Sequence, residues 1–475
     1  MKYYITTAID YINGKPHIGH SYEKVASDVL ARLARLAGKQ TFFLTGTDEH
    51  GAKIADYAKA QGLEPQAFAD QTYKYFEEAW KNLDLSFDRF VRTTDQDHIA
   101  AVSDILEKIK KNGYLYEGEY TGLYCTGHEA FLTEKELVDG VCPEHQTKPE
   151  SITEKNWFFK VSVFTDKIKE KIEKNEFKIW SEAHRKEILS LLEQGFNDIA
   201  ISRPNVKWGI PLPWDENQTV YVWVDALINY VSGIGFHGDK ELFKKHWPAT
   251  WHVVGKDIIK FHCIIWPALL LAADIEMPKG VVAHGYLTAN NQKMSKSLGN
   301  VIDPNDWVNK YGSDAVRYFL MREIAFGQDG DVSEEKIKAR YDGDLANGLG
   351  NLVSRLTNMI EKYSHGEISE IVEPHDKLEE VLEMIEGFRF HEALARIWEA
   401  IAWANQYIDE TKPWDLAKDS ANQEKLDAVL SVLGAEVKLI GLSLAPFMPK
   451  TADKIRKVFE SDSITKVEPL FPRIE

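Results

Sequence analysis

A short polar turn near the amino terminus carries residues that could bind a phosphate group. The stretch Asn13-Gly-Lys-Pro-His-Ile-Gly-His20 places His17 and His20 on either side of Gly19. A helix N-terminus attracts anions through its free N–H groups and its dipole, and glycine lets a ligand approach the backbone closely. Imidazoles add hydrogen-bond donors for phosphate oxygens. The turn therefore predicts a nucleotide-binding site.

A second cationic segment lies far along the chain. Lys293-Met-Ser-Lys-Ser297 follows an apolar run and stands in a polar, glycine-flanked stretch. Two lysines, Lys293 and Lys296, beside the small hydroxyl residues Ser295 and Ser297 suit a loop that closes over a triphosphate. The pair of segments therefore predicts chemistry on a nucleoside triphosphate.

The residues around the first turn predict a strand, a helix and a second strand. Residues 3–9 are rich in β-formers, residues 40–45 are an apolar run, and between them apolar residues recur at helical spacing: Val25, Val29, Leu33 and Leu36. The right-handed crossover of such a βαβ unit places the turn at the carboxyl edge of a parallel sheet. We therefore predict an α/β fold with a Rossmann-type parallel sheet.

The two cationic segments resemble the two signature motifs of class I aminoacyl-tRNA synthetases, both in full and in the same order. Further segments look like those of the methionyl-tRNA synthetases: Thr45–Gly51, Tyr221–Ala226, Gly255–Ile258, Phe261-His262, Trp266-Pro267 and His284–Tyr286. The resemblance extends over essentially the whole chain. It implies ATP-dependent ligation of L-methionine to tRNA(Met) through methionyl-adenylate, with release of AMP and diphosphate.

The resemblance assigns the nucleotide-binding residues. Catalysis of phosphoryl chemistry rests mainly on positioning and charge stabilisation, and the family match gives this role to His17, His20, Lys293 and Lys296. Mg²⁺ would bind the β and γ oxygens of ATP, and Lys296 would contact the transition state. Further contacts to ATP are expected from Gly19, Arg203, Lys256, Asp257, Ser295 and Ser297, with Asp257 at the ribose.

The resemblance also assigns the methionine-binding residues. Asp48 would accept the α-ammonium of the substrate in a charge-assisted hydrogen bond. A thioether needs an apolar and polarisable slot. The residues that the match places around it are Ile9, Tyr11, Trp223, Ala226, Leu227, Tyr230, Ile258, Phe261, His262 and Trp266. Leu227 stands where relatives often carry proline.

An insertion between the halves of the sheet carries a predicted metal site. Cys125-Thr-Gly-His128 and Cys142-Pro-Glu-His145 are two CxxH knuckles that together offer four ligands for tetrahedral Zn²⁺. Closed sites with four protein ligands are structural, so we predict one structural zinc ion bound by Cys125, His128, Cys142 and His145. Two unrelated buried cysteines and two surface histidines are the alternative. His128 stands where relatives often carry cysteine.

The carboxyl-terminal part of the chain predicts a helix bundle. Beyond Ile302 the periodicity is helical, without the alternation of a strand. In the resemblance this is the anticodon-binding domain, with Asn351, Arg355 and Trp414 at the anticodon. A planar Trp and an Arg guanidinium stack on splayed bases, and Asn binds a base edge by hydrogen bonds.

Residues 219–224 are expected to return to the parallel sheet as a strand after the insertion. The predicted domain organisation has five segments. The segments are 1–116 (first half of the Rossmann-type catalytic domain), 117–215 (insertion with the zinc knuckle), 216–290 (second half of the catalytic domain), 291–340 (lysine loop and stem-contact region) and 341–475 (helical anticodon-binding domain).

Charge and hydropathy restrict the setting. The chain has 74 acidic and 57 basic residues, a net charge of −17, which argues against nonspecific nucleic-acid binding but permits a specific tRNA partner. Without an apolar stretch of membrane-spanning length or a signal peptide, we expect a cytoplasmic protein with no membrane partner. The three cysteines give no disulfide framework. We expect a monomer, since no appended dimerisation module is evident.

Other functions stay open on sequence alone. A cysteinyl or other class I synthetase would share both signatures, although cysteine recognition would place zinc in the amino-acid pocket. A nucleotidyltransferase with the same histidine turn would not need the helical end. A noncatalytic tRNA-binding paralogue would not need the four catalytic residues.

Overall fold

The computed structural model describes residues 1–125, 130–132, 134, 137–143, 146–294, 299–369 and 376–474. Its strands are β1 (Lys2–Thr7), β2 (Asp10–Tyr11), β3 (Gln40–Asp48), β4 (Arg89–Arg92), β5 (Leu115–Cys125), β6 (Ala130–Leu132), β7 (Glu150–Phe159), β8 (Lys178–Trp180), β9 (Ile199–Ala200), β10 (Ser202–Arg203), β11 (Pro211–Leu212), β12 (Asp215–Val220), β13 (Trp251–Gly255), β14 (Gly280–His284), β15 (Leu287–Ala289), β16 (Gln292–Lys293) and β17 (Gly330–Val332).

The helices alternate with these strands in the first part of the chain and then follow one another. They are α1 (Ile18–Leu36), α2 (Ala52–Ala60), α3 (Pro65–Asn82), α4 (Gln96–Lys111), α5 (Thr165–Glu173), α6 (Glu182–Glu193), α7 (Val222–Leu227), α8 (Asn229–Ser232), α9 (Lys240–His246), α10 (Trp266–Ala272), α11 (Pro304–Tyr311), α12 (Ser313–Glu323), α13 (Glu334–Arg340), α14 (Asn351–Tyr363), α15 (Asp376–Glu386), α16 (Phe390–Thr411), α17 (Pro413–Leu416), α18 (Gln423–Leu444) and α19 (Pro449–Phe459). Short 3₁₀ turns span Val161–Phe164, Lys256–Ile258 and Ser420–Asn422, and π-helical turns span Phe261–Ile265 and Tyr341–Gly350.

The chain forms two compact units. The first unit contains Met1–Lys15, Gln40–Glu77 and Phe87–Ala283, and the second contains Pro16–Lys39, Glu78–Ser86 and His284–Glu475. None of the helices in the described ranges is long and apolar enough to cross a lipid bilayer.

A parallel sheet organises the first unit. Its order is β2-β3-β1-β13-β14-β8, and β4 also pairs with β3. β1 is parallel to β3 and to β13, with Ile5 opposite both Phe43 and Trp251. The predicted Rossmann-type sheet is thus confirmed. The core of this unit is built from buried side chains on the strands and on their helices, among them Tyr4, Leu44, Val91, Ile105 and Val254.

The insertion contributes to three sheets, one of which consists of β10, β12 and β11. β5 and β7 pair antiparallel from Leu115 opposite Phe159 to Tyr124 opposite Glu150, and β6 and β9 flank them. β8 lies within the predicted insertion, yet it pairs in parallel with β14 and so belongs to the main sheet.

The prediction of a strand over residues 219–224 in the parallel sheet is wrong in two respects: the strand ends earlier, and it belongs to a different sheet. β12 ends at Val220 and pairs antiparallel with β10 and β11, and helix α7 begins at Val222. A short apolar run fits a buried strand or a buried helix equally well. Here burial of residues 224–227 along one helical segment decides for the helix.

The helical segment that follows β13 is irregular. A 3₁₀ turn and a π-helical turn precede α10, which begins at Trp266 with Pro267 in its first turn. Proline has no N–H to donate to the carbonyl four residues earlier, so a regular α-helix cannot run through this point unchanged. Isolated π-helical turns often occur at functional sites.

The second unit is mostly helical. In it α14, α15, α16, α18 and α19 pack against one another. A small sheet precedes the bundle, where β15 pairs antiparallel with β16 and parallel with β17. The expectation that residues beyond Ile302 are wholly helical is therefore wrong at Gly330–Val332, because a three-residue strand is too short to show an alternating pattern.

A buried ion pair ties the second unit together. Arg317 on α12 is fully buried and lies 2.7 Å from a carboxylate oxygen of Asp28 on α1. Its guanidinium also donates to the carbonyl oxygens of Phe447 and Pro446, at 2.7 and 2.9 Å. A buried cation with this many acceptors fixes α1 relative to α12 and to the end of α18.

Candidate active site

The predicted phosphate-binding turn is the N-terminus of α1, which lies in the second unit. His17 is the N-cap residue with an extended backbone, and its Nδ1 accepts a hydrogen bond from the N–H of Gly19 at 3.2 Å. The N–H of His17 in turn donates to Nδ1 of His20 at 3.1 Å. The two histidines thus form a reciprocal capping arrangement at the start of the helix.

This arrangement fixes the tautomers of both histidines. A ring nitrogen that accepts a backbone N–H carries no proton, so each neutral ring is protonated on Nε2. The two ring centroids are 3.8 Å apart. Burial lowers the pKa of His20 well below its usual range, and the charges of His17 and Lys24 add to the shift. At neutral pH His20 is therefore an uncharged hydrogen-bond donor through Nε2.

Within the described part of the second signature, Met294 lies beside the first. A Cβ atom on Gly19 would come within 3.3 Å of the Met294 side chain, and the N–H of Ile18 donates to the carbonyl of Ile302 at 2.9 Å. Lys293 lies on β16, opposite Thr288. The other predicted residues of this loop, Ser295, Lys296 and Ser297, lie outside the described residues.

A buried charged cluster follows the turn on α1. Glu23 is 3.2 Å from the ammonium of Lys24 and 3.1 Å from Nε2 of His284. Burial raises the pKa of the Glu23 carboxyl, but Lys24 and His284 outweigh burial and lower it overall. Glu23 is therefore ionised at neutral pH.

In the first unit, Asp48 ends β3 in a turn that is held on several sides. The backbone of Asp48 pairs with Tyr11, and its carbonyl accepts the N–H of Ile12 at 3.2 Å. The next residue, Glu49, is fully buried, and its two carboxylate oxygens accept from Nε and Nη2 of Arg92, each at 2.8 Å. The position of Asp48 is thus set by rigid neighbours on both sides.

The predicted thioether residues lie in the same unit, on a few consecutive elements. Trp223, Ala226 and Leu227 are on α7, Tyr230 is on α8, and Ile258 ends the 3₁₀ turn after β13. Phe261 and His262 begin the π-helical turn. The Phe261 ring stacks on the Trp223 ring, with centroids 4.4 Å apart. Trp266 begins α10, and Ile9 packs on the core.

A chain of hydrogen bonds fixes the polar members of this group. His262 lies with Nδ1 3.0 Å from the carbonyl of Ile258 and Nε2 2.7 Å from the hydroxyl of Tyr230. A carbonyl only accepts, so Nδ1 donates to it and the neutral ring accepts the Tyr230 proton on Nε2. The Tyr230 ring therefore has a defined direction for its hydroxyl hydrogen.

His252 was not predicted from the sequence, and it supports two of the predicted residues. Its Nε2 accepts the indole N–H of Trp266 at 3.1 Å, and its Nδ1 is 2.7 Å from the hydroxyl of Thr6. The ring also lies against Tyr230, with centroids 4.2 Å apart. Burial lowers its pKa well below the usual range. A lone histidine in an apolar strand gives no sequence signal for this role.

A second unpredicted group is centred on Asp225. The sequence motifs Thr45–Gly51 and Tyr221–Ala226 contain His50 and Asp225, which the structure joins by a hydrogen bond of 2.7 Å. His98, from α4, binds the other carboxylate oxygen at the same distance. Only the match of both motifs to one family could have indicated that they meet.

The remaining predicted ATP residues lie in the first unit, apart in the chain from the two signatures. Lys256 and Asp257 form the 3₁₀ turn that directly follows β13. Arg203 on β10 is buried, donates to the carbonyl of Ser202 at 2.8 Å, and lies over the Tyr221 ring at 4.3 Å.

The predicted anticodon residues share one region of the second unit. Asn351 and Arg355 lie one helical turn apart on α14, and Arg355 is 2.7 Å from Asp409 near the end of α16. Trp414 follows directly on α17 with 37% of its surface exposed, whereas most tryptophans of the described part of the chain are more buried. An exposed indole ring suits stacking on a base.

Half of the predicted zinc ligands can be placed. Cys125 ends β5 and Cys142 lies in the following turn region, and both are buried and without a disulfide. His128 and His145 lie outside the described residues, and no group of three or more potential ligands occurs among those that are described. Two buried thiols in a small two-layered insertion fit the chemistry of a Cys₂His₂ donor set.

Comparisons with known proteins agree over the whole chain. The family model described as tRNA synthetases class I (M) matches residues 3–151 and 135–357, and the model described as anticodon-binding domain of tRNA ligase matches residues 371–475. A methionine–tRNA ligase of Caldanaerobacter subterraneus is 44% identical over 98% of this chain and 74% of its own length. A methionine–tRNA ligase of Clostridium acetobutylicum is 43% identical over 100% of this chain and 78% of its own length.

A solved structure shows the same fold. Mycobacterium tuberculosis methionyl-tRNA synthetase in complex with methionyl-adenylate superposes with a TM-score of 0.94 at 39% sequence identity, and the match covers 100% of both chains.

Proposed function

The chain belongs to the methionyl-tRNA synthetases, class I ligases that use ATP to join methionine to tRNA, and we propose which of its residues carry each step. The observation that carries the proposal is the paired imidazole cap of α1 with Met294 of the second signature against it. It supports a single triphosphate-binding site made from both signatures.

In the first step, an oxygen of the methionine carboxylate attacks the α-phosphorus of ATP. The bond from that phosphorus to the bridging oxygen breaks, diphosphate leaves with the bonding electrons, and methionyl-adenylate forms. No protein nucleophile is required, so the residues act by holding the substrates and by stabilising negative charge.

Residues of the second unit bind the phosphates. His17 and His20 donate from Nε2 to phosphate oxygens, because their Nδ1 atoms already cap the helix. Lys293 and Lys296 contribute positive charge, with Lys296 at the transition state, and Ser295 and Ser297 donate hydroxyl hydrogen bonds. Mg²⁺ neutralises the β and γ oxygens as part of the ATP substrate.

Residues of the first unit bind methionine and the nucleoside. Asp48 accepts the α-ammonium, and the Trp223 and Phe261 rings with Ala226 and Leu227 hold the thioether chain. Tyr11, Tyr230 and His262 lie at the sulfur end, Asp257 binds the ribose, and Lys256 and Arg203 assist with the phosphates.

In the second step, a ribose hydroxyl at the end of tRNA attacks the adenylate carbonyl and AMP leaves. Asn351, Arg355 and Trp414 select the tRNA at its anticodon. Two observations support this assignment. The Arg355 guanidinium on α14 is held by Asp409, and the Trp414 indole on α17 is exposed.

We further propose that Cys125, His128, Cys142 and His145 hold one structural zinc ion. Such an ion would link the two knuckles of the insertion and would supply folding stability rather than chemistry. Mass spectrometry of the intact protein under native conditions is expected to show one zinc per chain, lost in a Cys125→Ser/Cys142→Ser variant. A metal-free wild-type chain would remove this part of the proposal.

The activity is tested by methionine-dependent exchange of diphosphate into ATP. Wild type is expected to exchange with methionine and not with cysteine, which separates this function from that of a cysteinyl enzyme. Lys296→Ala is expected to lower the exchange rate strongly while methionine affinity, measured by calorimetry, stays nearly unchanged. Absence of exchange in wild type would reject the catalytic function and favour a noncatalytic tRNA-binding protein.

A further inference from the structure

The Asp225 carboxylate is an ion buried where no solvent reaches it. Asp225 is 0% exposed, on α7, and each of its oxygens lies 2.7 Å from a histidine nitrogen, Nδ1 of His50 or Nε2 of His98. Burying a carboxylate is costly unless hydrogen bonds replace its water. The two imidazoles provide them and outweigh burial, so that the pKa of Asp225 is lowered.

The hydrogen bonds of this group have one consistent direction. A carboxylate only accepts, so His50 carries its proton on Nδ1 and His98 on Nε2. The Nδ1 atom of His98 lies 2.7 Å from the hydroxyl of Ser232. One carboxylate thereby connects the turn after β3, helix α4 and helices α7 and α8.

The connected segments hold opposite ends of the proposed methionine site. His50 is two residues after Asp48, the proposed ammonium acceptor, and Asp225 is two residues after Trp223 and one before Ala226 in the thioether wall. The hydrogen bond between His50 and Asp225 links the turn directly to α7 and so restrains their separation.

We propose that Asp225 is a positioning residue for methionine, which sets the distance between the group that binds the ammonium and the walls that bind the thioether. The inference rests on the proposed roles of Asp48 and Trp223. Removing one partner of a buried ionic network also lowers stability. The test therefore needs a readout of substrate geometry that a loss of stability alone does not change.

The variant that tests this is Asp225→Asn, which keeps the shape of the side chain. An amide presents one acceptor and one donor, so one histidine loses its acceptor and faces an N–H instead. Because a misplacement of about 1 Å can cost on the order of a hundredfold in rate, kcat/KM for methionine is expected to fall roughly tenfold to a hundredfold. The KM for ATP is expected to change less than threefold.

The readout that separates positioning from stability is the preference for chain length. S-methylcysteine is one methylene shorter than methionine and ethionine is one longer, so an altered separation must change their exchange rates relative to methionine. Asp225→Asn is expected to change at least one of these ratios fivefold or more. Asp314→Asn is the matched control, because Asp314 is a buried carboxylate of the second unit that accepts the N–H of Thr451.

The control is expected to lower the melting temperature without changing the ratios. Should Asp225→Asn fail to fold, Ser232→Ala leaves the carboxylate in place and removes the hydroxyl that contacts His98 and the carbonyl of Asn229. It is expected to shift the ratios in the same direction by a smaller factor. Ratios within twofold of wild type in the folded variant would overturn the inference. Absence of exchange in wild type would instead reject the proposed function, so the two failures are distinguishable.

Discussion

Removal of one negative charge at Asp48 gives the most direct test of how methionine is held. Asp48 is 8% exposed, and its backbone is fixed by pairing with Tyr11 and by the bond from Ile12. Asp48→Asn therefore removes the charge with little change in the backbone. A hydrogen bond to a charged group contributes about 1.5–3 kcal/mol. Since a tenfold change in affinity corresponds to about 1.4 kcal/mol, we expect the KM for methionine to rise roughly tenfold to a hundredfold.

The assay compares methionine with its 2-hydroxy analogue, which keeps the thioether and the carboxylate but has no ammonium. Wild type is expected to prefer methionine strongly in diphosphate exchange. In Asp48→Asn this preference is expected to fall by the same factor by which the KM for methionine rises, because the analogue never used the charge.

Asp10→Asn is a suitable control, since Asp10 is a buried carboxylate on the neighbouring strand, opposite Thr47. It is expected to leave the preference unchanged. If Asp48→Asn weakened both substrates equally, the loss would come from a distorted site, and the assignment of Asp48 to the ammonium would be refuted.

Three further outcomes are expected. Arg92→Ala leaves the buried Glu49 carboxylate without its guanidinium and should lower the free energy of unfolding by about 3–5 kcal/mol, measured by urea denaturation. Arg355→Ala should raise the KM for tRNA roughly fivefold to a hundredfold, since stacking on a base contributes about 1–3 kcal/mol, with diphosphate exchange as the tRNA-independent reference. Burial lowers the pKa values of His20 and His252, so below about pH 6.5 the unfolded chain binds more protons than the folded chain. The free energy of unfolding, measured by urea denaturation, should therefore be constant above about pH 6.5 with respect to these groups and fall below it. His252→Gln should show a smaller fall.

Much of the fold could be predicted because it follows local patterns. The first strand, the turn and helix α1 each show a clear signal, namely β-rich composition, a glycine between two histidines, and apolar residues at helical spacing. Residues 219–224 and the strand Gly330–Val332 could not be predicted in this way. The first is a short apolar run whose surroundings choose its conformation, and the second is too short for periodicity.

The candidate site was predictable in part for a related reason. Family motifs identify which side chains matter, but not the proton positions or the partners that hold them. His98 is 127 residues from Asp225, and His252 is 246 residues from Thr6. Contacts over such separations leave no pattern in composition or spacing, so only coordinates reveal them.

The imidazole cap of α1 also bears on turnover. Most helices begin with a serine, threonine or aspartate, whose oxygen faces the first N–H groups. An aspartate in that place would repel the incoming triphosphate. Because His17 and His20 cap the helix with one nitrogen each, the opposite nitrogens stay oriented after diphosphate departs. With His17 and His20 in their proposed role, the phosphate-binding surface needs no rebuilding before the next ATP molecule binds.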